Sequence, residues 1–172
     1  MKALGVLVGL AVALLIQTTL GGMSLQAGTR VNFVLIAVVF IALLLGAVPG
    51  LLAGMAGGLA QDAVAGGIVG IGGISKTVVG FMVGVLGAQF IVSQPLTRFV
   101  MFFGATVLHE LCFQALYGLA ESHGVRFHYR DVMTQAAVNG LVGILAFYVV
   151  ENAPGAMQRR DARRATFGRR RF

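Results

Sequence analysis

Two opposite charges, Asp62 and Lys76, interrupt an apolar run thick with glycine, GLLAGMAGGLAQDAVAGGIVGIGGISKTVVG, from Gly50 to Gly80. An ionisable side chain inside a lipid-embedded segment costs roughly 2.5–3.5 kcal/mol on insertion scales, so each needs a partner or a task. A glycine-rich turn over 66–73 would join two helices and bring both charges to one depth of a hairpin. There they can pair as a salt bridge, the lysine also snorkelling. Alternatively they line a polar, water-accessible site for an ion or solute.

A second polar set lies further on. Glu110 and Gln114 share one face of a helix at i, i+4 spacing, as do Gln135 and Asn139 on the next. A loop centred near Gly124 sets Glu110 level with Asn139 and Gln114 level with Gln135, with His109 beside them near mid-membrane. The expectation is a polar ladder that fixes the register of two helices and only secondarily offers a proton path.

Other patterns fail on chemical grounds. Gly70-Ile71-Gly72-Gly73-Ile74-Ser75-Lys76-Thr77 resembles a phosphate loop, but that loop needs glycine before the lysine, a preceding strand and an aqueous site. His109-Glu110 opens like a zinc-protease helix, yet Phe113 stands where the second histidine is required. His123 and His128 have no cysteine or carboxylate set to complete a metal site. No nucleophile comes with its base, so the expectation is a protein that is not an enzyme and carries no metal or cofactor.

The elements that position these residues follow from composition. The chain has 172 residues, 58% hydrophobic and 11% charged. A soluble domain of that size could not provide a polar exterior. At about 20 apolar residues per crossing, six segments emerge, near 3–20, 31–45, 47–65, 74–92, 96–120 and 132–150. The first has nearly the length of a signal-peptide core and is read as a true span. The fold class is therefore all-α, a polytopic membrane protein of about six transmembrane helices in one bundle. It divides into a transmembrane domain over 1–155 and a basic tail over 156–172.

Small residues recur at helical spacing as Gly5, Gly9 and Ala13, as Gly50 and Gly54, and as Gly80 and Gly84. They predict close backbone packing, within the bundle or, as the alternative, against a dedicated partner face. Cys112 is the sole cysteine, so there is no intrachain disulfide. Most of the net charge of +7 sits in the tail, in Arg159, Arg160, Arg163, Arg164, Arg169, Arg170 and Arg171. By the positive-inside bias the tail is cytoplasmic, and with six spans so is the N-terminus. Arg30, Arg126 and Arg130 then fall outside, against the bias. The tail arginines form a surface for anionic lipid headgroups or a plain topology anchor; nothing points to nucleic acid.

Around the opening stretch, a family resemblance appears. Pro49-Gly50-Leu51-Leu52-Ala53-Gly54, then Gly58-Leu59-Ala60-Gln61-Asp62, then glycines at 66, 67, 70, 72 and 73, is similar to the signature of MreD, the rod shape-determining membrane protein of bacteria. In that family a glycine-rich span ends in Gly-Leu-x-x-Asp before a further glycine-rich turn. The match covers 49–87, and elsewhere only the hydropathy profile agrees. The Arg-rich tail and extra glycines depart from the pattern. The resemblance implies a non-enzymatic scaffold of the elongation (rod) machinery in the bacterial inner membrane, maintaining cell shape by linking partners to peptidoglycan synthesis. It implies MreC, the MreB filament, RodA and a class B penicillin-binding protein as partners. It also implies a fold similar to substrate-binding subunits of vitamin transporters, and Asp62 as the signature acid. The rival function is a small-solute binding subunit of a transporter, disfavoured by the absence of tryptophan and by short outer loops. A third class is an ion or proton channel using Asp62, Lys76, His109 and Glu110 as a relay.

Overall fold

In hydrocarbon a chain must satisfy its backbone internally, and the helix does so within one segment. The computed structural model describes residues 2–20, 31–66, 68–89, 94–121 and 129–152, and among them there are six helices and no strand. They are α1 (Lys2–Leu20), α2 (Phe33–Leu45), α3 (Ala47–Ala65), α4 (Ile71–Gln89), α5 (Pro95–Glu121) and α6 (Tyr129–Asn152). A helix occupies each of the six expected segments, and three of them, α4, α5 and α6, have the length and apolarity of a membrane span. The fourth begins earlier than its hydropathy suggests, because the turn ends at Gly70 and Gly72 and Gly73 already belong to the helix. Of the expected loop over 122–130, Tyr129 and Arg130 already belong to α6; residues 122–128 with His123 and His128, and the arginines of the tail, lie outside the described residues.

Neighbouring helices run antiparallel. Gln17 of α1 meets Val31 and Phe33 at the start of α2. The reversal from α2 to α3 is made by Gly46 alone, at φ +99°, a conformation open to glycine and strained for other residues. Gly66 (φ +71°) and Gly70 (φ +112°) bound the turn from α3 to α4. On α4 and α5, Ser75 meets His109, while Val79, Val83 and Phe102 share the apolar core with Leu35, Val39, Ala42, Ala105 and Phe147. A smaller cluster joins Leu10 of α1 to Val38, Ile41 and Ala53.

Backbone contact between α3 and α4 is close because glycines face glycines. A Cβ added at Gly58 would lie 2.6 Å from the Gly72 carbonyl oxygen and from the Gly73 Cα. One added at Gly50 would lie 2.5 Å from the Gly80 carbonyl oxygen. The Gly50/Gly54 and Gly80/Gly84 stripes thus pack inside the bundle. The first stripe differs: nothing lies within 4 Å of a Cβ built at Gly5 or Gly9, although Ala13 is buried.

The bundle's outside is apolar. Leu4, Leu7 and Leu15 on α1, Ile74 and Phe81 on α4, and Leu141, Leu145 and Val149 on α6 are all exposed. Helices α4, α5 and α6 are each long and apolar enough to cross a membrane. Tyr129 and Tyr148, both exposed on α6, stand about 28 Å apart at 1.5 Å per residue, where amphipathic rings would flank hydrocarbon. Helix α2 has 13 residues, about 20 Å, too short to cross alone. Its first turn is packed within the bundle, with Asn32, Val34 and Leu35 buried.

Candidate functional site

A helix that starts inside a membrane protein leaves N–H groups with no intrahelical acceptor and no water to take them. Two helices meet this difficulty, and the polar residues converge on it.

The first is α4. Asp62, buried in the last turn of α3, places Oδ2 2.9 Å from the Gly70 N–H, 2.9 Å from the Gly72 N–H and 3.2 Å from the Gly73 N–H. It caps α4 from the helix before, a carboxylate at the positive end of a helix dipole. Glycine at 72 leaves room for the carboxylate, which a Cβ there would displace. The expected Asp62–Lys76 salt bridge is not formed. Among the described residues the ion pair is Arg98–Glu151, at 2.7 Å. Asp62 faces backbone amides because the turn from Gly66 to Gly70 brings three of them to one oxygen.

The second is α2. Asn32 is its N-cap, Oδ1 accepting from the Leu35 N–H at 3.1 Å. The Phe33 N–H donates to Gln17 Oε1 of α1 at 2.8 Å. The Asn32 N–H donates to Asn139 Oδ1 of α6 at 3.2 Å. Three helices thereby share one helix start.

From Asn32 the network has a fixed direction. Its Oδ1 being an acceptor, its Nδ2–H donates to His109 Nε2 at 3.4 Å. Nε2 is then unprotonated and the imidazole proton lies on Nδ1, which donates to Ser75 Oγ at 3.0 Å. Ser75 Oγ–H ends the chain on the Gly72 carbonyl at 3.2 Å. In parallel, Asn139 Nδ2 donates to Thr106 Oγ1 at 3.3 Å, and Thr106 donates to the Phe102 carbonyl at 2.9 Å. Both chains terminate on backbone oxygens. A proton entering either has nowhere to leave.

The α5–α6 ladder exists, one turn out of the expected register. Gln135 Nε2 donates to Glu110 Oε1 at 2.8 Å, so Glu110 faces Gln135, and Asn139 faces Thr106. Gln114 bonds Glu110 from its own helix instead of reaching Gln135. Aromatic packing sets the register: Phe99 and Phe102 occupy the space that side chains at Gly140 and Gly143 would need. At the opposite end Arg98 grips Glu151 through both oxygens, at 3.0 and 2.7 Å, and its guanidinium lies 4.5 Å from the Phe147 ring centroid.

The structure thus brings His109, Asn139, Glu110, Gln135 and Gln114 into one interior band, with Lys76 buried beside it and Asp62 nearer the helix ends. Asn32, Ser75, Thr106 and Gln17 belong to the same band and were not expected. Asn32 had a signal, an asparagine just before an apolar helical run; the hydroxyls had none. Among the described residues no three His, Cys, Asp or Glu side chains gather as a metal site would require. The chain matches no protein-family model, no curated protein and no solved structure, so the expected likeness to transporter subunits finds no support there.

Proposed function

We propose that this chain is a non-enzymatic membrane scaffold that docks the spans of partner proteins. The observation behind it is how the interior polar groups are used. Asp62, Asn32, His109 and Asn139 direct their hydrogen bonds to helix starts and to one another, an arrangement that suits a rigid body. The remaining working surface is the apolar exterior, displayed on α1, α4 and α6.

Within this reading the MreD-like run over 49–87 suggests the setting: the rod elongation machinery of a bacterial inner membrane, with MreC, MreB, RodA and a class B penicillin-binding protein as partners. Asp62 then has a physical role, as the cap that pins the glycine hairpin. The basic tail would rest on anionic lipid at the cytoplasmic face. The test is affinity purification of the tagged chain from native membranes, with identification of what co-elutes. Recovery of MreC and the wall synthases supports the proposal. Co-elution with the ATP-hydrolysing subunits of a transporter would overturn it in favour of a solute-binding subunit.

A further inference from the structure

Most interior polar groups are matched, which isolates those that are not. Lys76 is 2% exposed, and among the described residues no hydrogen-bond or ion-pair partner reaches its ammonium. It lies within electrostatic range of Asp62 on α3 and Glu110 on α5, but Asp62 Oδ2 is taken by three backbone N–H groups and Glu110 Oε1 by the Gln135 amide. Gln114 gives its bond to Glu110 and keeps a buried Oε1 without a donor, as does Gln61 on α3.

The leftovers are complementary in kind and too far apart to meet. An ammonium offers three donors, and an amide oxygen with two carboxylates offers acceptors. A group that accepts from the first and donates to the others is water, which needs two to four such partners to be held inside a protein. Lys76 is also shallow. It stands five residues into α4, about 7–8 Å beyond Ile71 at 1.5 Å per residue, so only a short path separates it from the end of the bundle.

We infer that α3, α4 and α5 enclose a hydrated site. In it, water is held between Lys76, Glu110 and Gln114, with Asp62 at its outer edge, and exchanges with the aqueous phase at the Asp62 end. Lys76 is thus the head of a small solvent-reachable binding site inside the bundle, not a sealed structural charge.

The sequence makes a direct test possible, because Lys2 and Lys76 are its two lysines. The full-length protein in nanodiscs is treated with formaldehyde and cyanoborohydride, small enough to follow water, and each lysine's methylation is read by mass spectrometry of peptides. Lys76 is expected to be methylated in the folded protein, more slowly than Lys2. Gln114→Leu, which removes an acceptor for the water, should slow Lys76 several-fold and leave Lys2 unchanged. A merely loosened fold would raise the Lys76 rate, so the direction separates the two causes. If Gln114→Leu does not fold, Gln114→Met replaces it. Methylation of Lys76 only after denaturation would overturn the inference, as would a rate unmoved or raised by the substitution.

Discussion

A buried carboxylate beside three backbone N–H groups is a different object from a buried carboxylate beside an ammonium. Asp62 is the former, and its substitutions should show it. Asp62→Ala leaves the amides of Gly70, Gly72 and Gly73 without their carboxylate acceptor. Hydrogen bonds to a charged group contribute about 1.5–3 kcal/mol each, with strong overlap when one oxygen serves several. A loss of about 3 kcal/mol is expected for Asp62→Ala, and a smaller one for Asp62→Asn, which keeps an oxygen in place. Thermal unfolding of the purified protein in detergent measures both; equal losses would show that the charge, not the acceptor geometry, is what counts. His109 makes a second residue-scale prediction. The direction of its hydrogen bonds requires the proton on Nδ1, so nitrogen NMR of labelled histidine should find Nε2 bare near neutral pH. A proton on Nε2 would break the bond from Asn32 and with it the derived direction of the chain.

Among elements, the α3–α4 hairpin tests whether close approach or helix propensity governs glycine in this chain. Gly58→Leu drives a side chain into the Gly72 and Gly73 backbone, and overpacking of that kind costs about 1–3 kcal/mol. Gly9→Ala meets nothing within 4 Å and relieves the chain entropy of a helical glycine, so it should stabilise by about 0.5–1 kcal/mol. Opposite signs in unfolding midpoints are expected; a shared sign would mean that packing in the hairpin is looser than the contacts indicate. The α5–α6 ladder should give only a small coupling between Glu110→Ala and Gln135→Ala, on the order of 0.6 kcal/mol, because partners in lipid are easily exchanged. How legible each element was follows from the same physics. Apolar length marked all six helices, and the turn glycines marked the hairpin. The α5–α6 register was missed by a turn, because Phe99 and Phe102 choose it by filling the space over Gly140 and Gly143, and loop length carries no such information. The cap role of Asp62 was missed because an acid and a lysine near one turn look like an ion pair, and only the fold shows three amides closer. The hydroxyls of Ser75 and Thr106 were invisible, being partners that a sequence does not place.

For the molecule as a whole, the alternating directions of the helices make a commitment that no single helix does. If α1 starts at one end and each neighbour reverses, α6 ends where α1 began, with Arg98 and Glu151 at that same end and Asp62 at the other. The Arg-rich tail follows α6, and arginine close to a span end favours the cytoplasmic side. The end holding Arg98 and Glu151 is then expected at the cytoplasm, and the Asp62 end, with the proposed hydrated site, at the outer face. Arg30, Arg126 and Arg130 oppose this arrangement, but they are three against seven in the tail. Reporter fusions separate the possibilities. A fusion after Phe172 should report the cytoplasm and one inserted within 122–128 the outside. Two reports from one side would mean that α6 does not cross, and the docking surface proposed above would have to be redrawn. A reversed pair would keep the bundle and invert its orientation, moving the hydrated site to the cytoplasmic face. Cutting the chain before Arg159 and repeating the pair tests the cause, since loss of a single orientation is expected only if the tail charges set it.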